Sequence, residues 1–283
     1  MQKHDYKRHG FIPQRQPGKL IMRIRSLGGN LTSDDLRKIA DLAETYGHGV
    51  VHVTTRQALE MPGVAAERFE QALHDIKKTG LLPAVCGARI RPIVACPGTD
   101  ACPYGLQNSR QVAEEADKKW VGHDMPAKTK IAISGCPNSC TKPQGNDIGL
   151  KGVCEPMFDP AACIQCGLCV QRCPSKCMEI QGAKLLIHYD QCLACGVCIG
   201  VCKKNALSVG HHGFHIYIGG KGGRYPRNGE LFAAFVAEQQ VPVYLNAILM
   251  TYQEMAKKGE RLGAAVTRLG LAEFESHVKS KLQ

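Results

Sequence analysis

The first eighty residues fall alternately into strand and helix periods. Between Leu20 and Arg25 the character changes at every step, which places Met22 and Ile24 on one face of a strand and Arg23 with Arg25 on the other. From residue 32 the period lengthens. Thr32 or Ser33 can cap a helix whose apolar stripe is Leu36, Ile39, Ala40 and Ala43, and Gly47 is placed to end it. Val50 to Thr54 is rich in β-branched residues and predicts a strand that delivers Thr55 and Arg56 at its end. A second amphipathic helix is expected around Ala65 to Lys78, burying Phe69, Leu73 and Ile76 and stopping at Gly80. This succession reads as α+β.

Between Cys86 and Cys140 the composition shifts to Cys-Pro and glycine-rich turns around a helix near Gln107 to Lys119 and a strand from Lys128 to Ser134. These turns read as site loops on a scaffold. From about Asp159 to Gly210 the chain repeats itself: Cys163, Cys166, Gly167, Cys169 and Cys173 recur, each 29 residues later, as Cys192, Cys195, Gly196, Cys198 and Cys202. A strand returns at Phe214 to Ile218, Gly219 to Arg224 forms a flexible glycine loop, and a helical tail is expected from about Gly229. The organisation is therefore 1–80, 81–158, a duplicated unit at 159–210 inserted into the body, and 211–283.

Length leaves room for a sizeable core plus one compact insert. The segment Met1 to Gly10 is polar, and the longest apolar runs, such as Val241 to Met250, are too short to span a bilayer, so a soluble, cytoplasmic protein without membrane attachment is expected. In that setting 15 cysteines point to metal thiolates rather than disulfides. The net charge of +11 is spread along the chain with no aromatic-interleaved basic stripe, which argues against nucleic acid. A buried anionic cofactor and an anionic substrate would call for the same excess.

The duplicated unit carries C-x2-C-x2-C-x3-C twice, the spacing of a two-cluster bacterial ferredoxin, in which the fourth cysteine of each run crosses to the other cube. Cys163, Cys166, Cys169 and Cys202 would then bind one [4Fe-4S] cluster, and Cys192, Cys195, Cys198 and Cys173 a second. Pro174 follows Cys173 as in the usual motif, whereas Lys203 follows Cys202. A second cysteine set has different spacing: Cys96 and Cys102 form C-x5-C, and Cys136 and Cys140 form C-x3-C.

At Cys96, Cys102, Cys136 and Cys140 the chain resembles the siroheme-dependent sulfite and nitrite reductase family, and with its inserted two-cluster ferredoxin unit it resembles the compact anaerobic sulfite reductase subunits in particular. The resemblance implies a ferredoxin-like half followed by a siroheme and [4Fe-4S] half. Those four cysteines would hold a third cluster, with Cys140 also bridging to the siroheme iron. Arg25, in Arg23-x-Arg25-x-x-Gly28-Gly29, is similar to a substrate-binding arginine, Arg56 in Thr54-Thr55-Arg56-Gln57 to one that meets siroheme carboxylates, and Arg91, Lys128 and Lys130 to further anion-binding residues. Asn146, Gly220, Gly222 and Arg224 fall where the family folds around the cofactor. Taken singly, such cations are usually solvated; their order beside the cysteines gives them weight.

The resemblance implies six-electron reduction of sulfite to sulfide, with electrons passing from a donor protein or subunit through the ferredoxin unit. A lysine at position 130, where nitrite-reducing members tend to carry asparagine, favours sulfite. Nitrite reduction to ammonia, a role as a non-catalytic iron-sulfur subunit, or action on another small sulfur or nitrogen compound are the alternatives. Because many members contain two copies of this half, a homodimer or a heteromer is expected, in a strongly reducing anaerobic setting. Cys86, Cys154 and Cys177 read as packing thiols, and His211, His212 and His215 as surface or sheet residues.

Overall fold

The computed structural model describes residues 3–182 and 184–282. The first unit comprises α1 (Lys3–Arg8), β1 (Phe11–Pro13), β2 (Lys19–Arg25), α2 (Ser33–Tyr46), β3 (His52–Val53), β4 (Ala58–Ala65), α3 (Phe69–Thr79) and β5 (Leu82–Pro83). Its strands pair antiparallel in the order β1-β2-β4-β3, with β5 also on β2. The alternation expected in β2 is present: Leu20, Met22 and Ile24 are buried, and Arg23 and Arg25 share the other face. Thr32 caps α2 through a reciprocal bond with Asp35, and Gly47 ends it.

Three expectations for this unit need correction. The buried stripe of α2 is Ile39, Leu42, Ala43 and Tyr46, while Leu36 is half exposed and Ala40 faces water. The i, i+3, i+4, i+7 series that starts at Ile39 faces the sheet. The strand expected over 50–54 shrinks to the exposed two-residue β3, and the buried strand is β4, in which Pro62 and Gly63 interrupt the alternation. Helix α3 likewise begins at Phe69, because Ala65 still belongs to β4.

The second unit comprises β6 (Val94–Ala95), α4 (Ser109–Trp120), β7 (Ile131–Ser134), β8 (Ile148–Phe158), an excursion containing α5 (Leu168–Arg172), β9 (Met178–Gln181), β10 (Lys184–Ile187) and α6 (Val197–Val201), then β11 (Leu207–Ile218), β12 (Glu230–Val236), α7 (Val241–Met255), α8 (Leu262–Leu269) and α9 (Leu271–Lys279). Its sheet runs β12-β11-β8-β7-β6; β6, β7 and β8 are parallel and the others antiparallel. The tail therefore begins with a strand, in place of the helix expected from Gly229. Val112, Ala116 and Trp120 of α4 and Leu245, Ile248 and Tyr252 of α7 pack with the sheet into one core.

β8 and β11 pair along almost their whole length, from Ile148↔Ile218 to Phe158↔Leu207. The cysteine repeat is thus the tip of a long hairpin, and β11 runs through position 210. Burial of Cys177, Met178, Leu185, Cys198 and Leu207 gives that tip a small core of its own.

Candidate functional site

The parallel pairing of β7 and β8 dictates how the second cysteine set is displayed. A chain leaving the C-terminal end of β7 must run back to the start of β8, and residues 135–147 do so with only a short 3-10 turn at Pro143–Gly145. Cys136 is buried where the loop leaves β7, and Cys140 lies midway along it, exposed. Bonds from Thr141 to the Ser134 hydroxyl, at 3.2 Å and 2.8 Å, pin the crossing. The loop lies flat on β8 because the strand carries Gly149 and Gly152 beneath it; a Cβ there would collide with the carbonyls of Pro143 and Gly135.

Cys96 follows β6 as Cys136 follows β7. Its sulfur accepts the Gly135 N–H at 3.1 Å. Burial pushes the Cys136 thiol up against the opposing Asn138 N–H, and Cys96, Cys102 and Cys140 are near enough to add to the rise. Thiols held this way need an adjacent cation to ionise. Among the described residues no three His, Cys, Asp or Glu side chains close to the spacing of a single-ion site.

The other end of the crossing loop meets a group of cations. The turn after β3 is folded by Thr54, whose hydroxyl accepts the Ala58 N–H at 3.1 Å, and it projects Arg56 and Gln57 into the second unit. Gln57 bonds both ways with the Ala95 backbone. Arg56 donates to Asn146 Oδ1 (3.1 Å), Pro92 O (2.6 Å) and Ile131 O (3.2 Å). Its Nε is buried without a partner, as is that of Arg91. Burial, reinforced by Arg91, pushes the Arg56 guanidinium down to about 10. Burial and then Arg56, Arg261 and Lys128 also hold Lys130 below the usual lysine range. Arg91 and Lys128 share a cavity of about 570 Å³ with Arg23 and Cys86.

Asp147 organises this group. It is 1% exposed, accepts the Lys130 N–H at 2.8 Å, and takes Arg261 in two bonds of 2.8 and 2.7 Å. Arg91, Lys128, Lys130, Arg56 and Asn146 thus lie near one another. Arg25 does not: it lies 2.9 Å from the buried Asp117 and borders a separate groove with Asn30 and Arg110. Gly220 packs against the Gln144 and Asn146 carbonyls, whereas Gly222 and Arg224 sit on an exposed loop. Arg261 and Asp117 carry no signal in the sequence, since each meets its partner across a long stretch of chain.

In the excursion, Cys163, Cys166, Cys169 and Cys202 border one cavity of about 170 Å³. Burial first, and then Cys192, Cys195 and Cys173, push the Cys198 thiol up to about 12. Cys202 thus lies with Cys163, Cys166 and Cys169, and Cys173 near Cys198. Cys86, Cys154 and Cys177 are buried.

Residues 86–283 match the family model "Nitrite and sulphite reductase 4Fe-4S domain", and residues 12–79 match "Nitrite/Sulfite reductase ferredoxin-like half domain". Coenzyme F420-dependent sulfite reductase of Methanocaldococcus jannaschii is 34% identical over 97% of this chain, and the chain spans 44% of that relative. One subunit of the anaerobic sulfite reductase of Salmonella typhimurium is 34% identical over 55% of this chain and 50% of its own length. The fold is that of dissimilatory sulfite reductase I (TM-score 0.76, 20% identity, 92% of this chain and 69% of that one) and of the Mycobacterium tuberculosis NirA protein (0.71, 17%, 99% and 47%). No helix among the described residues is long and apolar enough to cross a membrane. The chain belongs to the nitrite and sulphite reductase family of oxidoreductases.

Proposed function

We propose that this chain reduces sulfite to sulfide, with six electrons and six protons turning hydrogensulfite into hydrosulfide and three waters. The observation that carries the reading is the group of cations Arg56, Arg91, Lys128 and Lys130 gathered at the far end of the loop that carries Cys136 and the exposed Cys140. The family implies siroheme and a [4Fe-4S] cofactor, and the residues fit both. Cys96, Cys102, Cys136 and Cys140 would hold the cluster, Cys140 would reach the siroheme iron, and Arg56 with Asn146 would meet its carboxylates. When bound, these groups supply the electrons and the metal at which the substrate sulfur is held.

The chain's own residues would do the rest. Arg91, Lys128 and Lys130 bind the oxyanion; a unit charge at about 4 Å contributes roughly 4 kcal/mol of attraction at an effective dielectric near 20, before desolvation. Lys130, already held below its usual range, gives up a proton from Nζ to a departing oxygen more readily than a solvated lysine. Asp147 fixes the Lys130 backbone and so the place from which that proton leaves. Arg25 stays outside this set while Asp117 holds it.

Two further clusters in the 159–210 unit, a donor protein or subunit, and a second copy or partner chain completing the site belong to the same proposal. A relative of 27% identity is a nitrite reductase of Bacillus subtilis, so kcat/KM on sulfite against nitrite decides the substrate. Lys130→Ala should lower turnover by about a hundredfold or more with iron and tetrapyrrole content unchanged. Unchanged turnover would remove Lys130 from the chemistry.

A further inference from the structure

The two ends of the duplicated unit stand in different surroundings. The Cys192–Gly196 turn touches the body: Cys154 of β8 pairs with Cys195 in an isolated backbone β-bridge, and its N–H donates to Ala194 O at 2.7 Å. A Cβ at Gly196 would sit in ordinary contact with Leu106 Cδ2 at 3.6 Å and Cys154 Sγ at 3.7 Å. Leu106 in turn donates to Gly135 O at 2.8 Å, next to Cys136. One leucine and one strand residue separate this turn from the Cys96, Cys102, Cys136 and Cys140 set. The opposite end faces outward, with Ile164 62% exposed and Gln165 and Cys166 also exposed.

The sequence repeat breaks at the same place. Pro174 and Ser175 follow Cys173, but Lys203 and Lys204 follow Cys202, and the ligand crossover carries these lysines to the rim of the cavity shared by Cys163, Cys166 and Cys169. Both are exposed, and among the described residues no carboxylate lines that cavity. Ile164 and Ile180 supply apolar surface beside them.

We infer that the two ends have fixed and unequal jobs: a small acidic one-electron carrier protein docks on Ile164, Gln165, Ile180, Lys203 and Lys204, and the Cys192 end passes the electrons to the body. This rests on the reading that both cysteine foursomes hold clusters. Each encounter oxidises the carrier by one electron and reduces the Cys163 end by one; no bond forms or breaks and no proton moves. Apolar contact brings the centres close, while the lysines steer an acidic partner and set a salt-dependent on-rate.

The test is anaerobic stopped-flow bleaching of the full-length, cluster-loaded chain by a reduced two-cluster ferredoxin of acidic surface at low salt. Lys203→Glu/Lys204→Glu should slow the second-order rate about tenfold or more, while Lys176→Glu, near the inner end, and Lys77→Glu/Lys78→Glu, on α3, keep the wild-type rate. If the double reversal behaves like the α3 control, the docking assignment is overturned. Should that variant lose iron, Lys204→Glu alone and the wild-type salt dependence decide: a rate indifferent to ionic strength overturns it. Wild-type protein without iron and labile sulfide overturns the underlying cluster reading instead, and this inference with it.

Discussion

Replacing Asp147 with asparagine isolates the residue that holds the cationic group together. Asp147 is 1% exposed and bonded twice to Arg261, whose side chain is 21% exposed. Breaking a buried pair by removing one partner costs about 3–5 kcal/mol. Asparagine keeps an acceptor for the Lys130 N–H, and Arg261 retains some water, so about 2–3 kcal/mol is expected. For a chain of this size that lowers the midpoint of thermal unfolding by roughly 5–10 °C. The assay is anaerobic thermal unfolding at matched iron content, because bound cofactor itself stabilises. Arg261→Met and the double variant complete a cycle: once Arg261 is gone, losing the carboxylate charge should matter much less, with a coupling of about 1.5 kcal/mol or more. Additive effects would refute the pairing as the organiser of the site.

His215 predicts a pH effect. Burial first, then Lys151, push its imidazole down to about 4, and its ring sits against Phe235 and Tyr217. The folded ring stays neutral where the unfolded one takes a proton, so stability should be full above about pH 6.5 and fall as pH drops toward 4. The loss should be about 1–2 kcal/mol after solvent screening, and His215→Phe should remove it, as read from unfolding midpoints against pH. The cysteines give a sharper contrast, since Cys173 and Cys177 lie 3.5 Å apart, sulfur to sulfur. Cys173→Ala should lower the iron count by about four atoms per chain, whereas Cys177→Ala should leave it unchanged. Equal losses would place Cys177 among the ligands.

Local chemistry is readable in the sequence and long-range pairing is not. The spacing of the repeats at Cys163 and Cys192 is visible along the chain, and the structure groups Cys202 with Cys163, Cys166 and Cys169. Thr32 and Gly47 likewise mark the ends of α2 through bonds within a turn. Strand β4 is hidden because Pro62 and Gly63 break its alternation, and β12 because nothing local separates it from a helix start. Arg261 meets Asp147 across 114 positions. Arg25 reads as a free cation because its partner, Asp117, lies inside the stripe of another helix. Charge partners set by tertiary packing leave no periodic trace along the chain.

The most direct test is an anaerobic absorption spectrum with iron and labile-sulfide counts, followed by sulfite added to the reduced protein. Siroheme bands and about twelve cluster irons plus one haem iron per chain are predicted, with bands that shift on sulfite and return as sulfide appears. Cluster absorbance without siroheme, after anaerobic preparation with siroheme supplied, would contradict that prediction and leave an electron carrier built on a reductase fold.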